Sequence, residues 1–218
     1  MRKQLFVANW KSHKTQSEAQ LWLQTFTPLL YQTTHTVILC PPFPLLAFCK
    51  SYIAEHHLPI TLGSQTVSPH EEGAYTGEVS ARTLKDFVEY VIIGHSETRQ
   101  LHHETDEQLQ QKVTLALAHG LTPIYCVSTE TQPIPKLVTI VAYEPLFAIG
   151  SGHPANPNAV EEIAHSIKQR YAVSYILYGG SVTGEDVMQF SRLLSIGGVL
   201  VGGASLSPQS FAKIIHHA

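Results

Sequence analysis

Eight short apolar runs rich in β-forming residues recur along this chain, with helix-forming stretches between most of them, and no other feature restricts its fold as strongly. They are LFVANW (5–10), TVILCP (36–41), PITLGS (59–64), YVIIGH (90–95), TPIYCV (122–127), VTIVAY (138–143), SYILYG (174–179) and GVLVGG (198–203). Several are nearly continuous in apolar residues, as expected of parallel strands covered on their outer faces. Eight strands alternating with helices predict an α/β fold of the (β/α)8 barrel type, with an open doubly wound sheet as the alternative. The first strand is not followed by GxGxxG, which weakens a dinucleotide-binding version of that alternative.

The helix signals fall in the gaps. Thr15-x-x-Glu18 and Thr105-x-x-Gln108 read as capping boxes, and Gly120 as a C-terminal stop. Val160, Ile163, Ala164, Ile167 and Tyr171 form one apolar helical face, and Ser207-Pro208 suits an N-cap followed by proline at the first helical position. One gap departs from the period. Strands five and six are joined only by STETQPIPKL (128–137), with prolines at 133 and 135, which leaves little room for a helix. Ten extended residues still reach about 33 Å, so an extended crossover without a helix is expected. The competing possibility is that these two segments are not neighbouring parallel strands.

With 218 residues and 44% hydrophobic composition, the chain is expected to form one domain over 1–218. A net charge of −3 without charged blocks argues against nucleic acid or an anionic membrane as partners. Cys40, Cys49 and Cys126 are too few and scattered for a disulfide framework and suit buried thiols in a reducing compartment. The opening MRKQLFVANWK has too short an apolar run for a signal-peptide core, and a soluble cytoplasmic protein is the expectation. Thirteen histidines raise the question of a metal. They are dispersed, pairs such as His56-His57 would diverge on a helix, and no HExxH or Cys/His ligand spacing occurs, so no metal is expected.

In a barrel, the C-terminal ends of the strands meet on one face. Those ends carry Asn9 and Lys11, His95, Glu144, and the glycine turns YGGSV (178–182) and VGGAS (201–205). Singly, each has an ordinary explanation as a solvated charge, a hydrogen-bonded histidine or a turn. Together they set a cation, an imidazole, a carboxylate and two loops of unobstructed backbone N–H around one mouth. Such loops before helix N-termini suit a phosphate, and the absence of GxxxxGK[ST] argues against a nucleoside triphosphate.

Taken in order, ANWK (8–11), GAYTGE (73–78), IIGHSET (92–98), AYEPLFAIGSG (142–152), YGGSV and VGGASL (201–206) resemble the triosephosphate isomerase family over essentially the whole chain. The resemblance implies a TIM barrel that interconverts dihydroxyacetone phosphate and D-glyceraldehyde 3-phosphate through an enediol(ate), without cofactor or metal. By position, Glu144 corresponds to the base, His95 to the neutral electrophile, Lys11 to the cation stabilising the developing charge, and Asn9 to a substrate-orienting group. Glu97 matches the carboxylate behind the site. Gly150, Ser181, Gly202 and Gly203, with Asn9 and Lys11, correspond to the phosphate and substrate contacts. Leu146, Phe147, Ala148 and Ile149 would form an apolar lid beginning at Glu144, stiffened by Pro145 and hinged near Gly150 and Gly152.

The chain departs from the family pattern at Leu146 and Phe147, where valine and tryptophan are common, at His153 in place of lysine, and at Thr98 in place of arginine. None is a proposed chemical group. The missing helix is expected to bare the apolar backs of strands five and six around Ile124, Tyr125, Ile140 and Val141, unless the crossover or another subunit covers them. GAYTGE (Gly73 to Glu78) resembles the loop by which the family's subunits interlock, implying a homodimer, with a tetramer as a further possibility. Two rivals stand beside this reading: a differently specific phosphate-binding barrel enzyme, and a non-catalytic relative kept for binding. Both are disfavoured by the joint presence of Lys11, His95 and Glu144.

Overall fold

The computed structural model describes residues 2–30 and 33–218. Its eight strands are β1 (Leu5–Asn9), β2 (Thr36–Cys40), β3 (Ile60–Ser64), β4 (Tyr90–Ile93), β5 (Thr122–Val127), β6 (Ile140–Tyr143), β7 (Tyr175–Tyr178) and β8 (Gly198–Val201). Each pairs in parallel with its sequence neighbours, and β1 pairs with β8, so the sheet closes into a barrel in the order β1 to β8. The open-sheet alternative is excluded by this closure.

Two layers follow from the alternation of side chains along each strand. Leu5, Val7, Ile38, Cys40, Ile92, Ile124, Cys126, Ile140, Ala142, Leu177 and Leu200 fill the barrel interior. Their outward neighbours, such as Phe6, Leu39, Val91, Tyr125 and Val141, join a larger cluster under the helices. The helices are α1 (Gln16–Phe26), α2 (Leu46–Glu55), α3 (Ala81–Leu84), α4 (Ser96–His102), α5 (Asp106–Ala118), α6 (Pro157–Arg170), α7 (Val187–Ser191) and α8 (Pro208–His216). Both expected capping boxes form, at Thr15/Glu18 and Thr105/Gln108, and Ser207 caps α8. All three cysteines are free and buried. Among the described residues no helix is long and apolar enough to cross a membrane.

Between β5 and β6 the described chain contains no helix, and the two strands are parallel neighbours with Ile124 opposite Ile140 and Val127 opposite Tyr143. The expected exposure of their apolar residues does not occur. Ile124, Tyr125, Ile140 and Val141 are all buried within this chain. Ile124 and Ile140 point into the barrel and were never candidates for helix cover. Tyr125 and Val141 do face outward, and Ile134 and Val138 of the crossover are buried in the same layer, in place of a helix.

The shortened crossover has a local cost. Leu137 holds a left-handed φ of 70° and is 79% exposed, a conformation costing about 1–2 kcal/mol for a residue with a Cβ. Leu137→Gly should relieve that strain against a smaller gain in unfolded-chain entropy, a net stabilisation of about 0.5–1 kcal/mol. A thermal melt reads this as a rise of about 1–4 °C; a fall in Tm would show that the exposed side chain contributes packing.

Candidate active site

Asn9 ends β1, and its Oδ1 accepts from the Lys11 backbone N–H at 3.0 Å, a short turn that lifts Lys11 over the barrel mouth. Lys11 is left-handed, with φ 51°. That strained backbone is held from a second side, because Gln65 Nε2 donates to the carbonyls of Lys11 and Cys40, each at 2.9 Å. The Lys11 ammonium meets Glu97 Oε1 at 2.5 Å.

His95 follows β4 and occupies the N-cap of α4. Its Nδ1 accepts from the Glu97 backbone N–H at 3.2 Å. An accepting Nδ1 fixes a neutral imidazole with its proton on Nε2. Thr98, where the family pattern has arginine, donates its hydroxyl to the His95 carbonyl at 2.9 Å and steadies the same turn.

Glu144 directly follows β6 and is 1% exposed. Its N–H donates to Val127 O at 2.8 Å, and its Oε2 accepts from Ser96 N–H at 2.8 Å. Oε1 stands 2.9 Å from His95 Nε2 without the alignment of a hydrogen bond, and is buried with no hydrogen-bond partner. Leaving a carboxylate oxygen in that state is costly, and such groups concentrate where a further partner is to arrive. Burial first, and next the Glu144 carboxylate, push the Cys126 thiol well above its ordinary range.

A cavity of about 220 Å³ opens over the barrel mouth, lined among others by Asn9, Lys11, His95, Gly150, Ser181, Gly202 and Gly203. Every expected phosphate contact therefore reaches the same hollow. Glu144 and Glu97 do not line it: Glu97 lies behind Lys11, and Glu144 is turned toward Ser96. The segment after Glu144 forms a short helical turn, Leu146–Ala148, with Leu146 62% and Phe147 74% exposed. Gly150 and Gly152 carry φ of 65° and 75°. Ser181 N–H donates to Ala148 O at 3.0 Å, so that amide is engaged by the short turn after Glu144. Such a hollow, with a buried carboxylate and an imidazole side by side at its edge and a cation at its rim, suits proton transfer next to a polarised carbonyl.

The profile of the family described as "Triosephosphate isomerase" matches residues 4–218. The chain belongs to the triosephosphate isomerase family. It is similar to the triosephosphate isomerase of Thermus thermophilus, 37% identical over 252 aligned positions covering all of both chains. It is likewise 38% identical over 250 positions to that of Caldanaerobacter subterraneus subsp. tengcongensis, again covering all of both. With the triosephosphate isomerase of Synechocystis sp. it shares 39% over 241 positions, 99% of each chain. These alignments are longer than the 218 residues of this chain, so the relatives carry positions that this chain lacks.

Sequence reasoning missed the residues that hold the site in place. Gln65 has no motif signal, because its task is set by proximity of β1, β2 and the segment after β3. Ser96 lay inside a quoted motif, and its position at the first turn of α4 was the signal that its N–H was available. Arg99 donates to the carbonyls of Gly94 (2.8 Å) and Cys126 (3.2 Å) and to the Tyr125 hydroxyl (3.1 Å), tying the His95 turn to β5.

Proposed function

We propose that this member of the triosephosphate isomerase family interconverts dihydroxyacetone phosphate and D-glyceraldehyde 3-phosphate with Glu144 as the base. The observation that carries this is the buried, unpartnered Glu144 Oε1 beside a neutral His95 at the edge of a cavity rimmed by Lys11 and glycine loops. With substrate phosphate against Gly150, Ser181, Gly202 and Gly203, the carbonyl end lies toward His95 and Lys11. Glu144 leaves Ser96 and removes a proton from the carbon next to the carbonyl. His95 Nε2–H donates to the oxygen on which charge develops, and Lys11 stabilises that charge. Glu144, now protonated, gives its proton to the former carbonyl carbon. The hydroxyl proton on the neighbouring carbon's oxygen passes by way of His95 to the former carbonyl oxygen, so no proton is gained or lost. The reaction is redox-neutral and internal to the substrate, so these side chains suffice for it.

Lid closure links the steps. It brings Ile149 and Gly150 over the substrate, releases the Ser181 amide from Ala148, and excludes water around a carboxylate that is only a weak base when solvated. It also shields the enediolate from loss of phosphate. Asn9 orients Lys11 and the substrate, and Glu97 sets the ammonium's position.

The protein so read is one barrel domain over 1–218 that works in the cytoplasm as a homodimer, with a tetramer as the larger alternative. The dimer reading is supported by residues 71–78, eight consecutive exposed positions that include Tyr75 stacked on His70 with ring centroids 4.0 Å apart. Purified protein should isomerise D-glyceraldehyde 3-phosphate rapidly in an assay coupled to glycerol-phosphate dehydrogenase. No turnover from folded protein would overturn the enzyme reading and favour a binding role. Light scattering on the same sample reads the assembly state, and a monomer at micromolar concentration would remove the dimer.

A further inference from the structure

The segment that replaces the crossover helix carries a device that neither the family's chemistry nor the barrel requires. After β5 the chain turns sharply through Ser128–Gln132, and the Gln132 side chain folds back over it. Its Oε1 accepts from the backbone N–H of Ser128 and, at 3.3 Å, from that of Thr129. Arg170, at the end of α6, donates to Glu130 O at 2.8 Å and pins the same turn from outside.

The Ser128 N–H belongs to the same peptide unit as the Val127 carbonyl. That carbonyl accepts the Glu144 N–H at 2.8 Å, the last backbone anchor of the base before Pro145, which has no N–H to offer. A peptide unit is rigid and planar, so fixing the direction of its N–H fixes the direction of its C=O. Hydrogen bonds at both ends also polarise one another. We propose that Gln132 is a positioning residue for the isomerisation, acting through the Val127–Ser128 peptide to set where the Glu144 backbone, and hence its carboxylate, stands. This rests on Glu144 being the base. Among the described residues no helix lies between β5 and β6 to order this peptide, so one side-chain oxygen does so.

The same turn borders the path of the lid. Ser128, Thr129 and Gln132 face Ser96, Glu97, Leu146 and Ile149 across an open groove. Loosening the turn therefore disturbs both the anchor of Glu144 and the wall beside which the lid swings. Of the proposed phosphate contacts, Ser181, Gly202 and Gly203 lie elsewhere in the barrel mouth, and only Gly150 travels with the lid.

Two variants of similar size separate this role from simple packing. Gln132→Met keeps the volume and removes the acceptor. Gln132→Glu keeps an oxygen that can accept from both N–H groups. Gln132→Met should lower kcat about tenfold, in line with the sensitivity of catalysis to small misplacements, with KM within about twofold. Gln132→Glu should hold kcat within about twofold of wild type. Amide hydrogen exchange supplies a readout independent of turnover: the Glu144 N–H should exchange faster in Gln132→Met and at the wild-type rate in Gln132→Glu. Wild-type kcat and Glu144 exchange in a folded Gln132→Met protein would overturn the proposal. So would equal loss of both in the two variants. A wild type with no turnover but the expected exchange pattern would instead reject the isomerase reading and leave the positioning of Glu144 standing.

Discussion

Glu144→Gln should lower kcat by roughly 10³–10⁴-fold, the contribution expected of a well-placed general base, while KM changes by no more than about threefold. The split follows from the site's layout. The proposed substrate contacts, Gly150, Ser181, Gly202, Gly203 and Lys11, line the cavity, and none of them depends on the charge of residue 144. The amide of the variant still offers an oxygen to Ser96 N–H, and its backbone still bonds Val127 O, so the lid stays rooted. What is lost is the capacity of Oε1 to take a proton. Glu144→Asp tests the geometry separately, since it keeps a carboxylate and retracts it by one methylene. A shift of that size should cost about a hundredfold in kcat. Steady-state kinetics of the three proteins in both directions decides the matter. If the Gln variant kept activity within tenfold of wild type, the base would have to be sought elsewhere, with Glu97 the next carboxylate by position.

Glu144 also shows why so much of the site was legible in the sequence. A parallel strand buried on both faces leaves a continuous apolar run, and in a barrel the residue just after it must stand at the common mouth. VTIVAY leading to Glu144, YVIIGH ending at His95 and LFVANW leading to Lys11 therefore put these three side chains at one mouth before any distance was known. The strand ends were less visible. β4 stops at Ile93, two residues short of its apolar run, because Gly94 takes φ 69° and His95 turns outward to cap α4. β6 starts at Ile140, two residues late, because Leu137 is left-handed and Val138 N–H closes a turn on Pro135 O. Face assignment failed for Ile124 and Ile140: a continuous apolar run does not say which alternate residues point inward, and only the register of the closed sheet does. Gln65, Arg99 and Gln132 were invisible for another reason. Each is a polar residue outside any apolar period. Gln65 and, in part, Arg99 bond groups brought near by tertiary folding, and Gln132 bonds backbone N–H groups of its own turn, whose shape no motif announces.

The barrel's closure gives the second large effect. Gly198→Ala should destabilise the fold by about 4 kcal/mol or more, at the extreme of single-site changes. Gly198 opens β8 opposite Leu5 of β1, the pairing that joins the last strand to the first. A Cβ there would sit 1.9 Å from Leu5 O and 2.8 Å from Leu5 C and N, against backbone atoms that cannot rotate aside. Its φ of 150° is also rarely adopted by a residue with a side chain. To make room, β1 would have to move away from β8 by more than an ångström, breaking the Leu5 N–H bond to Gly197 O along with the ladder beyond it. Because Asn9 and Lys11 extend from β1, and Gly202 and Gly203 from β8, that same movement would separate the cation from the phosphate loops. The variant should melt about 10 °C or more below wild type, at about 2–4 °C per kcal/mol for a chain of this size. It should also lose activity in whatever fraction remains folded. Gly203→Ala, with nothing within 4 Å of the added methyl, is the stability control and should melt near the wild-type temperature. A Gly198→Ala protein melting within 3 °C of wild type would mean that β1 yields easily, and the barrel would then be held shut by its helices and core instead of by the β1–β8 seam.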